Sequence, residues 1–198
     1  MPIKENTYSK AFKKHRGSIK SLMWNSYSSA AERYKELIQD IDFNNKSILD
    51  VGCGFGDIIP FIFSKCDSFE YTGVDFTKEF IEKAKKKYPD FRFINGNYFK
   101  NPLRKKFDII ICCGALNGNY GKKTVRFRKE AIQVMFHHCK EAVAFNMAGG
   151  ISPVNKKKSI IYYTDSLKLL TYCATLSEKI ILRNHYHPKD FTIIIFKR

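Results

Sequence analysis

Two periods alternate along the chain once apolar and polar positions are marked. Short, mostly apolar runs rich in β-branched and aromatic residues occur at KSILDVG (46–52), FEYTGVD (69–75), FRFINGN (91–97), FDIIICCG (107–114), EAVAFNM (141–147), KIILRNHY (179–186) and FTIIIFKR (191–198). Between them, helical spacing appears in DIIPFIFSKC, TKEFIEKAKKKY, TVRFRKEAIQVMFHHC and SLKLLTYCATL. Strands separated by helices predict a parallel sheet covered on both faces, because every parallel return needs a crossover. The last two strands have only HPKD between them, which is too short for a crossover, so the final strand is expected to run antiparallel to its predecessor. The prediction is an α/β fold: a doubly wound, mostly parallel seven-stranded sheet ending in an antiparallel hairpin.

Ahead of the first strand, SSAAERYKELIQDI predicts a covering helix, with Ser29 and Glu32 as a capping box and Ala31, Tyr34, Ile38 and Ile41 at helical spacing. The preceding two dozen residues form a polar, basic lead. The 198 residues suit one domain, with 1–45 as an N-terminal covering helical segment and 46–198 as the sheet core. No stretch approaches the roughly 18 continuous apolar residues of a membrane span. The basic opening lacks an apolar leader region with a cleavage site, which predicts a cytoplasmic protein.

Six cysteines are scattered without the spacing zinc requires, so no metal site is expected. Cys112 and Cys113, adjacent on one strand, face opposite sides and suit buried filler positions. The formal net charge of +16 suggests a phosphate-rich partner such as RNA or an anionic membrane. Against that, the basic residues are dispersed and lysine-dominated, as solvated faces would be.

The candidate chemistry centres on ILDVGCGFGD (48–57), where the first strand turns into the first helix. Gly52 and Gly54 let a ligand approach the backbone, and the helix start offers free N–H donors. The spacing is GxGxG rather than the dinucleotide GxGxxG, and Asp50 and Asp57 flank it, which would repel a pyrophosphate and favour a cationic end. Asp57 also suits a helix N-cap. Asp75, ending the second strand, suits ribose hydroxyls, and Asn97 with Tyr98 in INGNY suits an adenine. An amino-acid end, a ribose and an adenine without phosphate describe S-adenosylmethionine.

With these motifs together (ILDVGCGFGD, YTGVDFTKEFIEKAKKKYP, FINGNYF and FDIIICCGALN), the chain resembles the class I S-adenosylmethionine-dependent methyltransferases, most strongly over residues 45–150. The resemblance implies that Asp50, Gly52, Cys53, Gly54 and Phe55 line the methionine side, Asp75 and Phe76 the ribose and adenine, and Gly96, Asn97 and Tyr98 the adenine. It places Cys113, Gly114 and Leu116 on the floor after the fourth strand. Many relatives carry Asp at the position of Asn97; Asn keeps an acceptor for the adenine amine.

The sulfonium already activates the methyl group, so few catalytic residues are obligatory and alignment dominates. Candidates for substrate contact or proton handling are Asn117, Tyr120 and His138, with His137, Asn146 and His185 behind them. Neither an (N/D)PPY tetrapeptide nor a Pro-Cys context follows the fourth strand, which argues against amino-group methylation of adenine and glutamine and against cytosine C5 methylation. The expected acceptor is a small molecule methylated on O, N or S. Its site is bounded by Trp24, Tyr27 and Tyr34, by the loop from Asn117 to Arg128, and by AGGISPVNKKK. Lys122, Lys123 and Arg126 suggest an acidic or phosphorylated acceptor. Two alternatives are an RNA or protein methyltransferase docking through the basic faces, and a non-catalytic partner subunit that only binds the cofactor.

Overall fold

The computed structural model describes residues 5–155 and 159–197. Its core is a sheet of strands β1 (Lys46–Val51), β2 (Phe69–Asp75), β3 (Arg92–Asn95), β4 (Phe107–Cys113), β5 (Cys139–Gly150), β7 (Ile180–Arg183) and β8 (Asp190–Phe196), in the order β3-β2-β1-β4-β5-β8-β7. A two-residue β6 (Thr164–Asp165) adds a spur on β5. The first five strands are mutually parallel, and β8 lies antiparallel to both β5 and β7. The sequence-predicted hairpin is thus present, although its connection, residues 184–189, is longer than HPKD because β7 ends at Arg183.

Helices cover both faces. α2 (Tyr27–Ile38), α3 (Ile59–Phe63) and α4 (Lys78–Lys87) pack on one; α5 (Thr124–His138) and α6 (Ser166–Ala174) pack on the other. The continuous apolar run of β4 makes sense here, since a strand covered on both sides needs apolar residues at every position. Ile109 and Ile111 join the core under α2–α4, and Ile110 and Cys112 join the core under α5 and α6. Cys113 packs on the opposite face from Cys112, as strand alternation requires.

The N-terminal third departs most from expectation. Residues read only as a polar, basic lead form α1 (Glu5–His15) and a 3-10 turn, Ile19–Leu22. α1 docks on α4: Ser9 Oγ donates to Glu79 Oε2 at 3.0 Å, and Lys83 Nζ donates to the carbonyl of Gly17. Tyr8 and Phe12 pack their rings against Phe80. α2 starts earlier than its predicted box: Ser26 caps it, accepting from the Ser29 N–H at 3.1 Å. Tyr34, Ile38 and Ile41 are buried as the spacing predicts, Ala30 takes the place of Ala31, and Leu37 joins them. The Ser29 hydroxyl instead accepts from Arg33. Asp57 makes no helix cap; α3 begins at Ile59 without a side-chain cap, and Asp57 pairs with Lys87 of α4.

Candidate active site

β1 delivers the chain to the glycine turn in a conformation that L side chains resist. Gly52 has φ +76°, and a Cβ there would stand 2.4 Å from Cβ of Ala115 in the loop after β4. Gly54 has φ +55°, and its Cβ would meet Leu22 at 2.9 Å. The turn is tied to β2: the Gly52 N–H donates to the Val74 carbonyl at 2.7 Å. Asp75 accepts from the Gly54 N–H on Oδ2 (3.1 Å) and from the Thr77 N–H on Oδ1 (2.8 Å). One carboxylate therefore fixes both the glycine turn and the start of α4.

Asp50 points from β1 beneath this turn, and its Oδ2 accepts from the Tyr71 hydroxyl at 2.7 Å. Burial pushes its pKa up to about 7, against the pull of the Tyr71 hydrogen bond and with a further push from Asp75. Burial raises Asp75 as well, opposed by its backbone donors at Thr77 and Gly54. Two desolvated carboxylates close together hold negative potential in an apolar setting, which a cationic ligand group relieves and a phosphate aggravates.

These residues border a cavity of about 580 Å³, of the size typical for small-ligand sites. Asp50, Gly52, Cys53, Gly54, Asp75, Phe76, Gly96, Asn97, Tyr98, Cys113 and Gly114 all line it. Phe55 and Leu116 do not. Phe55 turns away under α1, 5.0 Å from Phe80 between ring centroids and with Lys83 over its face, and Leu116 is wholly buried beneath the floor, leaving Ala115 as the lining residue. Asn97 Oδ1 accepts weakly from the Lys100 N–H at 3.3 Å.

Of the residues considered for catalysis, Asn117 and Tyr120 line the cavity. Asn117 Oδ1 accepts from the Ala148 N–H at 2.8 Å, leaving the amide NH2 as its ligand-facing donor. His138 sits behind the wall, its Nδ1 3.2 Å from the Tyr98 hydroxyl. His137 is exposed and bonds within its own helix, and Asn146 is buried against Tyr186 and Phe191. His185 lies 3.7 Å from Glu36 of α2. Burial holds the thiol of Cys113 well above its ordinary pKa, so it does not present a thiolate to the cavity.

The acceptor boundary is met in part. Trp24 and Tyr34 line the cavity, but Tyr27 is exposed and does not. The described part of AGGISPVNKKK, residues 148–155, stays off the lining, and residues 156–158 lie outside the described residues. Ile161 takes that place instead, on a strap formed by residues 159–163. The strap is bound to the loop after β4: Asn119 N–H donates to the Ile160 carbonyl (2.9 Å) and Tyr162 N–H to the Asn117 carbonyl (3.0 Å). Buried Arg128 clamps both segments, donating to the carbonyls of Leu116 (2.8 Å) and Tyr162 (2.9 Å). Sequence reasoning also missed Tyr8, which reaches the cavity from α1 and packs on Phe76 at 5.6 Å; the four-residue spacing of Tyr8 and Phe12 was the available signal.

S-adenosylmethionine fits this donor set. The buried carboxylates suit its cationic amino end and its ribose, the bare glycine backbone leaves room where any side chain would clash, and Phe76 with Asn97 offers an aromatic face and an amide for adenine.

A family model described as a methyltransferase domain matches residues 48–142, from β1 into β5. Among curated proteins, "Putative methyltransferase Rv1506c" of Mycobacterium tuberculosis is 21% identical over 156 residues, covering 76% of this chain and 93% of that one. Two further curated methyltransferases match at 26% and 27% identity, and the chain spans only 45% and 42% of their lengths. Among solved structures, the magnesium protoporphyrin IX methyltransferase of Synechocystis PCC 6803 with bound S-adenosylhomocysteine superposes with TM-score 0.69 at 11% identity, covering 98% of this chain and 97% of that one. The plantazolicin methyltransferase BamL, in complex with a triazolic substrate analogue and S-adenosylhomocysteine, gives TM-score 0.65 at 15% identity, covering 98% and 94%. Together with the glycine turn, the paired acids and the strand order, these matches support a class I S-adenosylmethionine-dependent methyltransferase.

Proposed function

We propose that this methyltransferase acts on an O, N or S atom of a small molecule, with Asp50, Gly52, Cys53, Gly54, Asp75, Phe76, Gly96, Asn97 and Tyr98 holding the cofactor. The observation that carries this reading is the continuity of one cavity from the Asp75–Asn97 side to a wall of Trp24, Tyr34, Tyr120, Phe127 and Ile161. The sheet order supports the division: β2 and β3 lie on one side of β1, and β4 lies on the other. α1 and the strap add Tyr8 and Ile161 to the lining, and a pocket of this size suits a small acceptor better than a segment of a polymer.

The bound cofactor would supply an electrophilic methyl on a sulfonium. The protein's own work is to align the acceptor and exclude water. Asn117 orients the acceptor through its free NH2, and the aromatic wall fixes its plane. Solved neighbours in this fold act on small molecules by name, a magnesium porphyrin and a plantazolicin analogue among them, which supports the same class of acceptor here.

Lys122, Lys123 and Arg126 are exposed and outside the cavity lining, and Arg126 pairs with Glu130, so an anionic acceptor would meet them only beyond the mouth. The test is calorimetry with S-adenosylhomocysteine followed by transfer of labelled methyl groups from S-adenosylmethionine to a metabolite extract. Labelled small molecules are expected; label confined to RNA or protein would overturn the reading.

A further inference from the structure

Trp24, the only tryptophan in the chain, lines the cavity on the side of Cys113 and Gly114. A Cβ at Gly114 would stand 3.1 Å from its ring, so the indole is seated directly on the loop after β4. The guanidinium carbon of Arg33 lies over this ring, 5.2 Å from its centroid. Arg33 is 4% exposed and comes from α2. Its Nη1 donates to the Ser29 carbonyl and hydroxyl, its Nη2 donates to Asp190 Oδ2, and its Nε has no partner. Asp190 starts β8 and also has His187 Nδ1 at 3.0 Å, so the pair joins α2 to the C-terminal hairpin.

A buried ion pair adds little stability compared with an apolar pair of the same shape, so its place next to the one indole of the site asks for another reason. A cation over one region of an aromatic ring draws on the ring's electron density, and the ring then attracts a second cation less. The rest of this half points the same way. Tyr34, Tyr120, Phe127 and Ile161 carry no formal charge, and the carboxylates of the lining are already engaged, Asp50 by the Tyr71 hydroxyl and Asp75 by the N–H groups of Gly54 and Thr77.

We propose that the Arg33–Asp190 pair is a specificity device acting through Trp24, and that it biases the acceptor half toward uncharged planar rings and against cationic amines. Arg33 is a positioning residue in this scheme; Trp24 makes the contact. The inference rests on the small-molecule reading above and names the acceptor's chemical class.

Isosteric probes test it. The protein is loaded with S-adenosylhomocysteine, whose neutral sulfur removes the repulsion a sulfonium would add, and titrated with 2-naphthylmethanol and with 2-naphthylmethylammonium. The alcohol is expected to bind at least fivefold tighter. In Arg33→Met the preference is expected to fall below twofold, with Trp24 emission shifted, while Arg33→Lys restores both. Equal affinities in the unaltered protein, a tighter ammonium, or no binding of either ring overturns the proposal, and this arm needs no variant to fold. A preference that survives in folded Arg33→Met overturns it too. Failure to bind S-adenosylhomocysteine would instead remove the cofactor reading beneath it, and is seen before any probe is added.

Discussion

The two halves of the cavity are built in different ways. Around Asp50, Asp75 and Asn97 most lining groups sit on strand ends and the turns after them, within residues 50–100, with Tyr8 and Leu22 added from the N-terminal segment, and backbone hydrogen bonds tie Asp75 to the glycine turn and the start of α4. Around Trp24 and Tyr120 the wall is assembled from five separate pieces: the residues after the 3-10 turn, α2, the loop after β4, α5 and the strap at 159–163. The family match runs from 48 to 142 and so spans most of the first half while leaving out Tyr8, Trp24, Tyr34 and Ile161. On the proposed reading, cofactor handling belongs mainly to the sheet and its turns, and acceptor choice to the segments laid over it.

The sharpest way to break this division is to fill the turn. Gly52→Val sets side-chain atoms against Ala115, where even a Cβ would come within 2.4 Å, at a φ that β-branched residues avoid. Calorimetry should find S-adenosylhomocysteine binding weakened beyond about 100-fold, while Tyr120→Ala, on the other half, should leave it within about threefold; both figures follow from whether the contact lies in the turn or the wall. Equal losses would mean the halves are not separable.

Asp75→Ala comes next. It strips acceptors from the N–H groups of Gly54 and Thr77 at once. Unsatisfied buried donors cost about 1–3 kcal/mol each, and part of that is recovered because a buried carboxylate no longer needs to be desolvated. A loss of about 2 kcal/mol, or about 4–8 °C in Tm, is expected by calorimetric melting. Cofactor affinity should fall by about 10- to 30-fold, corresponding to one or two lost hydrogen bonds.

Asp50 gives the same half a pH signature. Its folded pKa of about 7 lies above the ordinary carboxylate value of 3.8, so the unliganded protein keeps a proton that the unfolded chain releases. The resulting stabilisation is fully present below pH 3.8 and is lost as pH rises through about 7. Binding of a cationic amino end runs the other way, because it needs the carboxylate. Affinity for S-adenosylhomocysteine should weaken by up to about tenfold per pH unit below about 7, with proton release visible in buffers of different ionisation heat. In Asp50→Asn that slope should vanish; a slope that persists would locate the titrating group elsewhere.

The same contrast explains what the sequence disclosed. Strands with both faces covered are continuous apolar runs, and the glycines and acids of the turn are forced by backbone geometry, so IIICC and DVGCGFGD were readable one segment at a time. Phe55 was misplaced for a local reason: it follows the turn but points under α1, an element whose apolar positions, Tyr8 and Phe12, are diluted by five basic residues between Lys10 and Arg16. The capping of α2 was ambiguous because SYSS offers three serine hydroxyls, and tertiary demand, Arg33 taking Ser29, chose among them. Arg128 as a clamp and Ile161 as a wall residue depend on contacts across more than 30 positions, which no local pattern encodes.

The smallest effect belongs to the feature most conspicuous in composition. Lys122, Lys123 and Arg126 stand in the loop and first turn leading into α5, exposed and off the cavity lining. Exposed charges interact through water with energies of about 1 kcal/mol or less, and salt near physiological strength screens them beyond about 8 Å. Once an acceptor is identified, replacing all three with alanine should change its KM by less than about twofold in 0.15 M salt. A rise of about fivefold or more that disappears on adding salt would show an anionic acceptor steered by this face. It would also move part of acceptor recognition from the aromatic wall to the mouth, and the separation between a sheet-built half and an overlaid half would then need a third, electrostatic region in front of both.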